Sequence, residues 1–183
     1  ETQVIKFLLN WYSMNARKLP WRKKNNLNLP HPYFVFVSEY MLQQTTVNTV
    51  KNKFNEFILK WPSLNKLAQT SEPNILKFWS GLGYYSRARN LLKSAKIINK
   101  NFKNKIPQAY DELIQLPGIG DYTAKAILGI GFNKSVMPLD ANIERILVRL
   151  HAIDKPINKV KNKLKDLGKK FISDKNSSNL IQS

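Results

Sequence analysis

Cysteine is absent from this chain. That removes disulfides, thiolate metal ligands and cysteine nucleophiles, and leaves the redox character of its compartment undecided. Histidine is scarce: His31 and His151 are the only two, which argues against a histidine-rich metal site. No apolar run approaches the roughly 20 residues of a membrane span, and no signal-peptide pattern opens the chain. A soluble, intracellular, cytoplasmic protein is therefore the default expectation. Acidic residues are few as well, 12 Asp and Glu against 30 Lys and Arg, for a formal net charge of +18. Such a charge favours a polyanionic partner, either nucleic acid or an anionic membrane surface. Part of the excess has a blander source. Most of the basic residues are Lys and Asn is abundant, as AT-rich codon usage produces. Also missing are period-two apolar segments bounded by turns, the signature of a sheet, and any repeat of 20–50 residues.

What is present is helical periodicity. At 183 residues the chain fits one large domain or two small lobes, with ample length for a core. Val4–Trp11 carries apolar residues at helical spacing, whereas Asn15–His31 is basic and loop-like, broken by Pro20 and Pro30. A helix can start at Pro32 and run to about Gln44, and Val47–Leu59 is amphipathic until Trp61-Pro62 stops it. Further helices are predicted at Leu64–Gln69, Asn74–Trp79, Tyr84–Asn99, Asp111–Leu116, Asp121–Ile130, Ala141–His151 and Lys159–Ile172. Ser173–Ser183 reads as a polar tail, frayed or cut short. The fold class is all-α.

Four segments carry chemistry. Leu116-Pro117-Gly118-Ile119-Gly120 precedes Asp121-Tyr122-Thr123-Ala124-Lys125, so a short helix ends in a tight glycine turn that exposes N–H groups of the next helix. Those donors suit a phosphate oxygen, although an ordinary helix–turn–helix corner has a similar outline. Glu39 shares a helical face with Val35, Phe36, Leu42 and Gln43. Apolar company of that kind raises a carboxyl pKa toward neutrality and makes a general acid; a solvent-edge Glu or buried ion pair is the alternative. Asp140, just before Ala141-Asn142-Ile143, is first of all a helix N-cap, and the same helix end can hold it ionised as a fixed negative charge. In Gly81-Leu82-Gly83-Tyr84-Tyr85-Ser86-Arg87-Ala88-Arg89, an apolar Leu and paired tyrosines beside two arginines could wedge a base stack and hold phosphates. Core aromatics at a helix start are the plainer reading there.

Taken in order, these segments resemble the helix-hairpin-helix DNA glycosylases (the HhH-GPD superfamily), and within them the MutY-type adenine glycosylases. Leu19-Pro20-Trp21-Arg22, Pro32-Tyr33, Ser38-Glu39, Met41-Leu42-Gln43-Gln44-Thr45, Gly81-Leu82-Gly83-Tyr84-Tyr85 and Leu139-Asp140 carry the match, which runs to about Leu180. The resemblance implies a two-lobed helical fold with a DNA cleft between the lobes. Residues 1–18 would be a helix packing with the C-terminal lobe, 19–136 a six-helix lobe with the hairpin motif at about 111–131, and 137–183 an incomplete C-terminal lobe. The implied substrate is double-stranded DNA with adenine opposite guanine or 8-oxoguanine, attacked by a monomer with no membrane partner.

The resemblance also assigns residues. Glu39 matches the acid that protonates adenine and Asp140 the carboxylate that stabilises the sugar cation, with Tyr122 and Asn142 beside them. Arg22 matches a residue near the extruded adenine, in one segment with Trp21. Gln44, Leu82 and Tyr84 match side chains inserted around the orphaned base. Gln43, Arg87, Gly118, Gly120 and Lys125 complete the expected DNA contacts, Lys125 as a phosphate contact or a solvated lysine. Endonuclease III-type relatives carry a Schiff-base lysine where Tyr122 stands, so a monofunctional enzyme is expected. Family members usually continue into four cysteines holding a 4Fe-4S cluster. This chain stops before them, just ahead of a helix that normally adds a second acidic contact to adenine. Starting at Glu1 and lacking that region, it reads as truncated at both ends rather than as a cluster-free member. No metal ligand set is expected within it. A relative acting on another mismatch such as T·G, and a non-catalytic DNA-binding module, are the competing readings.

Overall fold

The computed structural model describes residues 2–22, 25, 28–172 and 176–183. Parts of the expected 15–31 loop and 173–183 tail, namely 23–24, 26–27 and 173–175, lie outside the described residues, as does residue 1. The fold is all-α, with no β-strand element among the described residues. The helices are α1 (Thr2–Asn15), α2 (Pro32–Leu42), α3 (Val47–Lys60), α4 (Leu64–Ala68), α5 (Glu72–Trp79), α6 (Ser86–Asn101), α7 (Tyr110–Ile114), α8 (Asp121–Ala126), α9 (Ala141–Leu150), α10 (Ile157–Lys169) and α11 (Ser177–Gln182).

Local signals set most of these boundaries. Proline opens α2, where its missing N–H goes unused, and the His31 imidazole Nδ1 accepts from the Tyr33 N–H at 3.3 Å. Thr46 and Ser63 cap α3 and α4 through their hydroxyls. Helix α6 begins two residues later than periodicity suggests, because Tyr84 has φ +45 and cannot belong to a right-handed helix. The expected single helix from Asp121 to Ile130 is α8 followed by a π-helical segment, Ile127–Gly131. Close packing accompanies that change: a Cβ on Gly129 would collide with Ile181, and one on Gly131 would lie 3.3 Å from the Pro32 backbone.

Two apolar clusters form. The larger holds Phe36, Tyr40 and Met41 of α2 against Phe54, Phe57, Trp79, Leu91 and Ile127, all at most 1% exposed. Helix α2 runs through its centre, with every residue from Val35 to Met41 buried. The smaller cluster joins both ends of the chain: Val4, Ile5, Leu8 and Leu9 of α1 meet Leu147, Leu164, Phe171 and Leu180. The tail is not frayed over its described part. Helix α11 docks on the π segment, with Ser178 Oγ donating to Ile130 O at 2.8 Å and the Ser178 N–H donating to Asn133 Oδ1 at 2.9 Å.

Helices α7 and α8 with the turn between them form the helix-hairpin-helix. Gly118 has φ +79, and a Cβ there would stand 2.9 Å from Asn90 Cβ and 3.0 Å from the Tyr40 ring. Strain and collision act together at this one position. Gly118→Ala is expected to lower the unfolding free energy by about 1–3 kcal/mol, read from urea denaturation midpoints. An unchanged midpoint would show that the turn relaxes freely.

Candidate active site

A cavity of about 310 Å³ opens between the two clusters. Helix α2 lends it Val35, Ser38, Glu39 and Leu42; α8 lends Tyr122; α9 and its cap lend Asp140, Asn142 and Ile143; α11 lends Ile181 and Gln182. Hollows of about 460 and 740 Å³ also occur, but neither brings two carboxylates together.

Glu39 sits in the third turn of a helix that is otherwise a core helix, and is 9% exposed. No side-chain hydrogen bond to its carboxyl is found among the described residues. Burial, and secondarily the negative charge of Asp140, push its pKa up to about 7. Asp140 caps α9: one carboxylate oxygen accepts from the Ile143 N–H at 2.7 Å, the other from Asn142 Nδ2 at 3.4 Å. The cap and the cavity-facing anion are one residue doing both jobs. Asn142 in turn accepts from Arg145 Nη2 at 3.1 Å, which fixes its amide. Tyr122 stands in the first turn of α8. The Glu39 carboxyl first, then burial and Asp140, push its phenol far up, so it stays a neutral O–H. No lysine lines this cavity among the described residues.

Arg22 ends a 3-10 turn, Pro20–Arg22, seated by Trp21, whose buried ring meets Phe54 edge-on at 5.4 Å. The guanidinium lies 5.4 Å from the Tyr12 ring centroid and donates to Gln182 O at 3.3 Å. Gln43 Nε2 donates to Gly118 O at 3.2 Å, which ties the end of α2 to the hairpin. Gln44 is exposed at φ +55 and Tyr84 is 60% exposed. Gly118 and Gly120 are exposed on the hairpin, and α8 has no side-chain cap at Gly120, which leaves its first amides without a capping side chain.

Three expectations need correction. Leu82 is 5% exposed and packs in the larger cluster, so it is a core side chain here and not a projecting wedge. Arg87 is also 5% exposed and does not face a phosphate. Its Nη1 donates to Tyr40 O, Met41 O (2.7 Å) and Gln43 O, and its Nη2 to Leu82 O (2.8 Å) and Gly83 O (3.2 Å). The reason is geometric: helix α2 ends with unpaired carbonyls, and a planar fork of donors satisfies several at once. Lys125 is not freely solvated, since its ammonium pairs with Asp121 at 2.8 Å, one turn back. Sequence reading also missed Arg17, Ile181 and Gln182 on the cavity wall. Nothing local marks them, because they reach it only through packing of the chain's ends.

The same arrangement of helices occurs in solved structures. A thermostable thymine-DNA glycosylase superposes with a TM-score of 0.83 at 22% identity, covering 99% of this chain and 83% of that one. A non-covalent endonuclease III–DNA complex superposes with a TM-score of 0.73 at 20% identity, covering 99% and 82%. These likenesses show the fold. Residues 37–170 match the HhH-GPD superfamily base excision DNA repair proteins, and the chain belongs to that superfamily. Among curated relatives it is similar to the adenine DNA glycosylase of Buchnera aphidicola subsp. Baizongia pistaciae, 47% identical over 148 residues, covering 80% of this chain and 41% of that protein. It is also similar to the human adenine DNA glycosylase, 42% identical over 150 residues, covering 80% of this chain and 28% of that protein. The chain thus spans well under half the length of these relatives.

The raised pKa of Glu39 has a stability consequence. The folded state holds this proton up to about pH 7, whereas a carboxyl with the usual value of 4.5 loses it earlier. Glu39 therefore favours folding below about pH 4.5, and that contribution fades as pH rises through about 7. Glu39→Gln is expected to match the wild type near pH 4.5 and to exceed it by on the order of 3 kcal/mol near pH 8, measured by urea unfolding at both values. A gap that does not depend on pH would overturn this account.

Proposed function

We propose that this chain is the base-excising part of a monofunctional DNA glycosylase that removes adenine opposite guanine or 8-oxoguanine. The observation that carries this reading is the shared cavity of Glu39, poised near neutrality, and the capped Asp140. The target nucleotide must leave the duplex stack before its glycosidic bond can be reached, and the cavity receives it. Protonated Glu39 donates to a ring nitrogen of adenine, and the base departs with the electron pair of the C1′–N9 bond. The cationic sugar that remains is stabilised by the fixed negative charge of Asp140, and water adds at C1′ to leave an abasic site. The proton released by that water returns to a carboxylate, which restores the acid.

Adenine as the target is supported by the relatives' names and by the matched segments around Glu39 and Tyr84. Monofunctional chemistry is supported by Tyr122 and by the lack of a lysine on the described cavity wall. The net charge of +18 suits duplex DNA, and its placement wherever DNA is held in the cell follows from the same reading, as does action as a monomer. No described helix is long and apolar enough to cross a membrane. An iron–sulfur cluster does not fit the residues present, because the chain has no cysteine to ligate it. Every step above uses side chains of this chain alone.

Duplexes carrying A·G, A·8-oxoguanine and T·G pairs, incubated with the protein and then treated with alkali, test the proposal. Alkali-dependent breaks are expected at adenine alone. Glu39→Gln should slow excision by about 10²–10⁴-fold, and the wild-type rate should fall as pH rises through about 7. Strand cleavage without alkali, or excision of thymine, would refute it.

A further inference from the structure

Two exposed residues in the loops after α2 and α5 hold left-handed backbone without being glycine: Gln44 at φ +55 and Tyr84 at φ +45. For an aromatic residue this conformation is disfavoured and persists only where its surroundings impose it. One side chain reaches both places. The Arg87 guanidinium donates to Gln43 O and to Gly83 O, the carbonyls of the peptide groups immediately preceding Gln44 and Tyr84. Its bonds to Tyr40, Met41 and Leu82 carbonyls seat the fork between the loops, and the Tyr84 ring centroid lies 5.6 Å from its charge. Trp79 Nε1 donates to the same Gly83 carbonyl at 3.1 Å.

Arg87 forms no ion pair with a carboxylate among the described residues, so carbonyl dipoles, with the Trp79 and Tyr84 rings 5.5 and 5.6 Å away, answer its buried charge. A buried cation held that way is an expensive route to mere stability. We propose that Arg87 is a positioning residue: it sets the spacing of Gln44 and Tyr84 and, through them, selectivity for the base opposite the one removed. This rests on the glycosylase reading above. A lysine cannot replace it, because a single ammonium cannot span both loops as a planar fork does.

The test uses Glu39→Gln as a background that binds without turnover, and fluorescence anisotropy with A·8-oxoguanine, A·G and fully paired duplexes. Adding Arg87→Lys is expected to lower the affinity ratio of A·8-oxoguanine over paired DNA about tenfold, leaving affinity for paired duplex within about twofold. Trp79→Phe should shift the ratio in the same direction by less. An unchanged ratio in folded Arg87→Lys protein overturns the proposal. So does a uniform loss on every duplex with a shallower salt dependence, the mark of a phosphate contact. Should Arg87→Lys fail to fold by circular dichroism, an unchanged ratio in Trp79→Phe overturns it. Equal affinity of the background protein for all duplexes overturns it too. Wild-type protein that excises no adenine defeats the glycosylase reading separately, since the affinity ratios are measured without turnover.

Discussion

An ionisable carboxyl on a helix buried from nearly every side is the constraint around which this molecule is arranged. Seven consecutive residues of α2, from Val35 to Met41, are withdrawn from water, and Glu39 is the one carboxyl among them. Ionising it there is costly, so the proton stays on near neutrality. The side chain can face a substrate only where the packing around α2 opens, and that opening is the seam between the two clusters. Asp140 reaches the seam from the opposite side while spending one oxygen on the α9 cap. The two carboxyls therefore sit in different surroundings. One is desolvated with no side-chain hydrogen bond among the described residues, and the other is fixed by the donors of a helix end.

The far end of α2 imposes a second requirement. Its last carbonyls have no helical partners, and Arg87 supplies donors for them from α6. Gln43 bonds Gly118 O, and Tyr40 Oη donates to Pro117 O at 2.5 Å. The hairpin, the end of α2 and the Gly81–Tyr84 loop are consequently one mechanical unit. The glycines of the hairpin belong to this unit for a steric reason as well, since Gly118 lies against Asn90 and Tyr40.

Much of this was legible in the chain itself. Helical periodicity, proline and hydroxyl caps, and the Leu116–Gly120 turn give the all-α class and place most helices within a few residues, because those signals act over one or two turns. Glu39 stood out because it interrupts an apolar face, and Asp140 because it precedes a helix. Other features were illegible for an equally physical reason. Leu82 and Arg87 lie in a loop whose composition suits DNA contact, yet their fate depends on carbonyls and a core supplied by distant segments. The π segment packs closely against α11, where Ile181 leaves no room for a Cβ on Gly129, a contact across about 50 residues of sequence.

The sequence by itself determined most of the helices and the hairpin turn, and it marked Glu39 and Asp140 as candidates, since each of these follows from neighbours within a turn or two. Only the tertiary structure decided that Glu39, Tyr122 and Asp140 share one cavity. It alone turned Arg87 into an internal clamp and made the chain's last described residues into a wall of the site. Burial and desolvation are properties of what surrounds a side chain, and most of what surrounds these side chains comes from elsewhere in the chain.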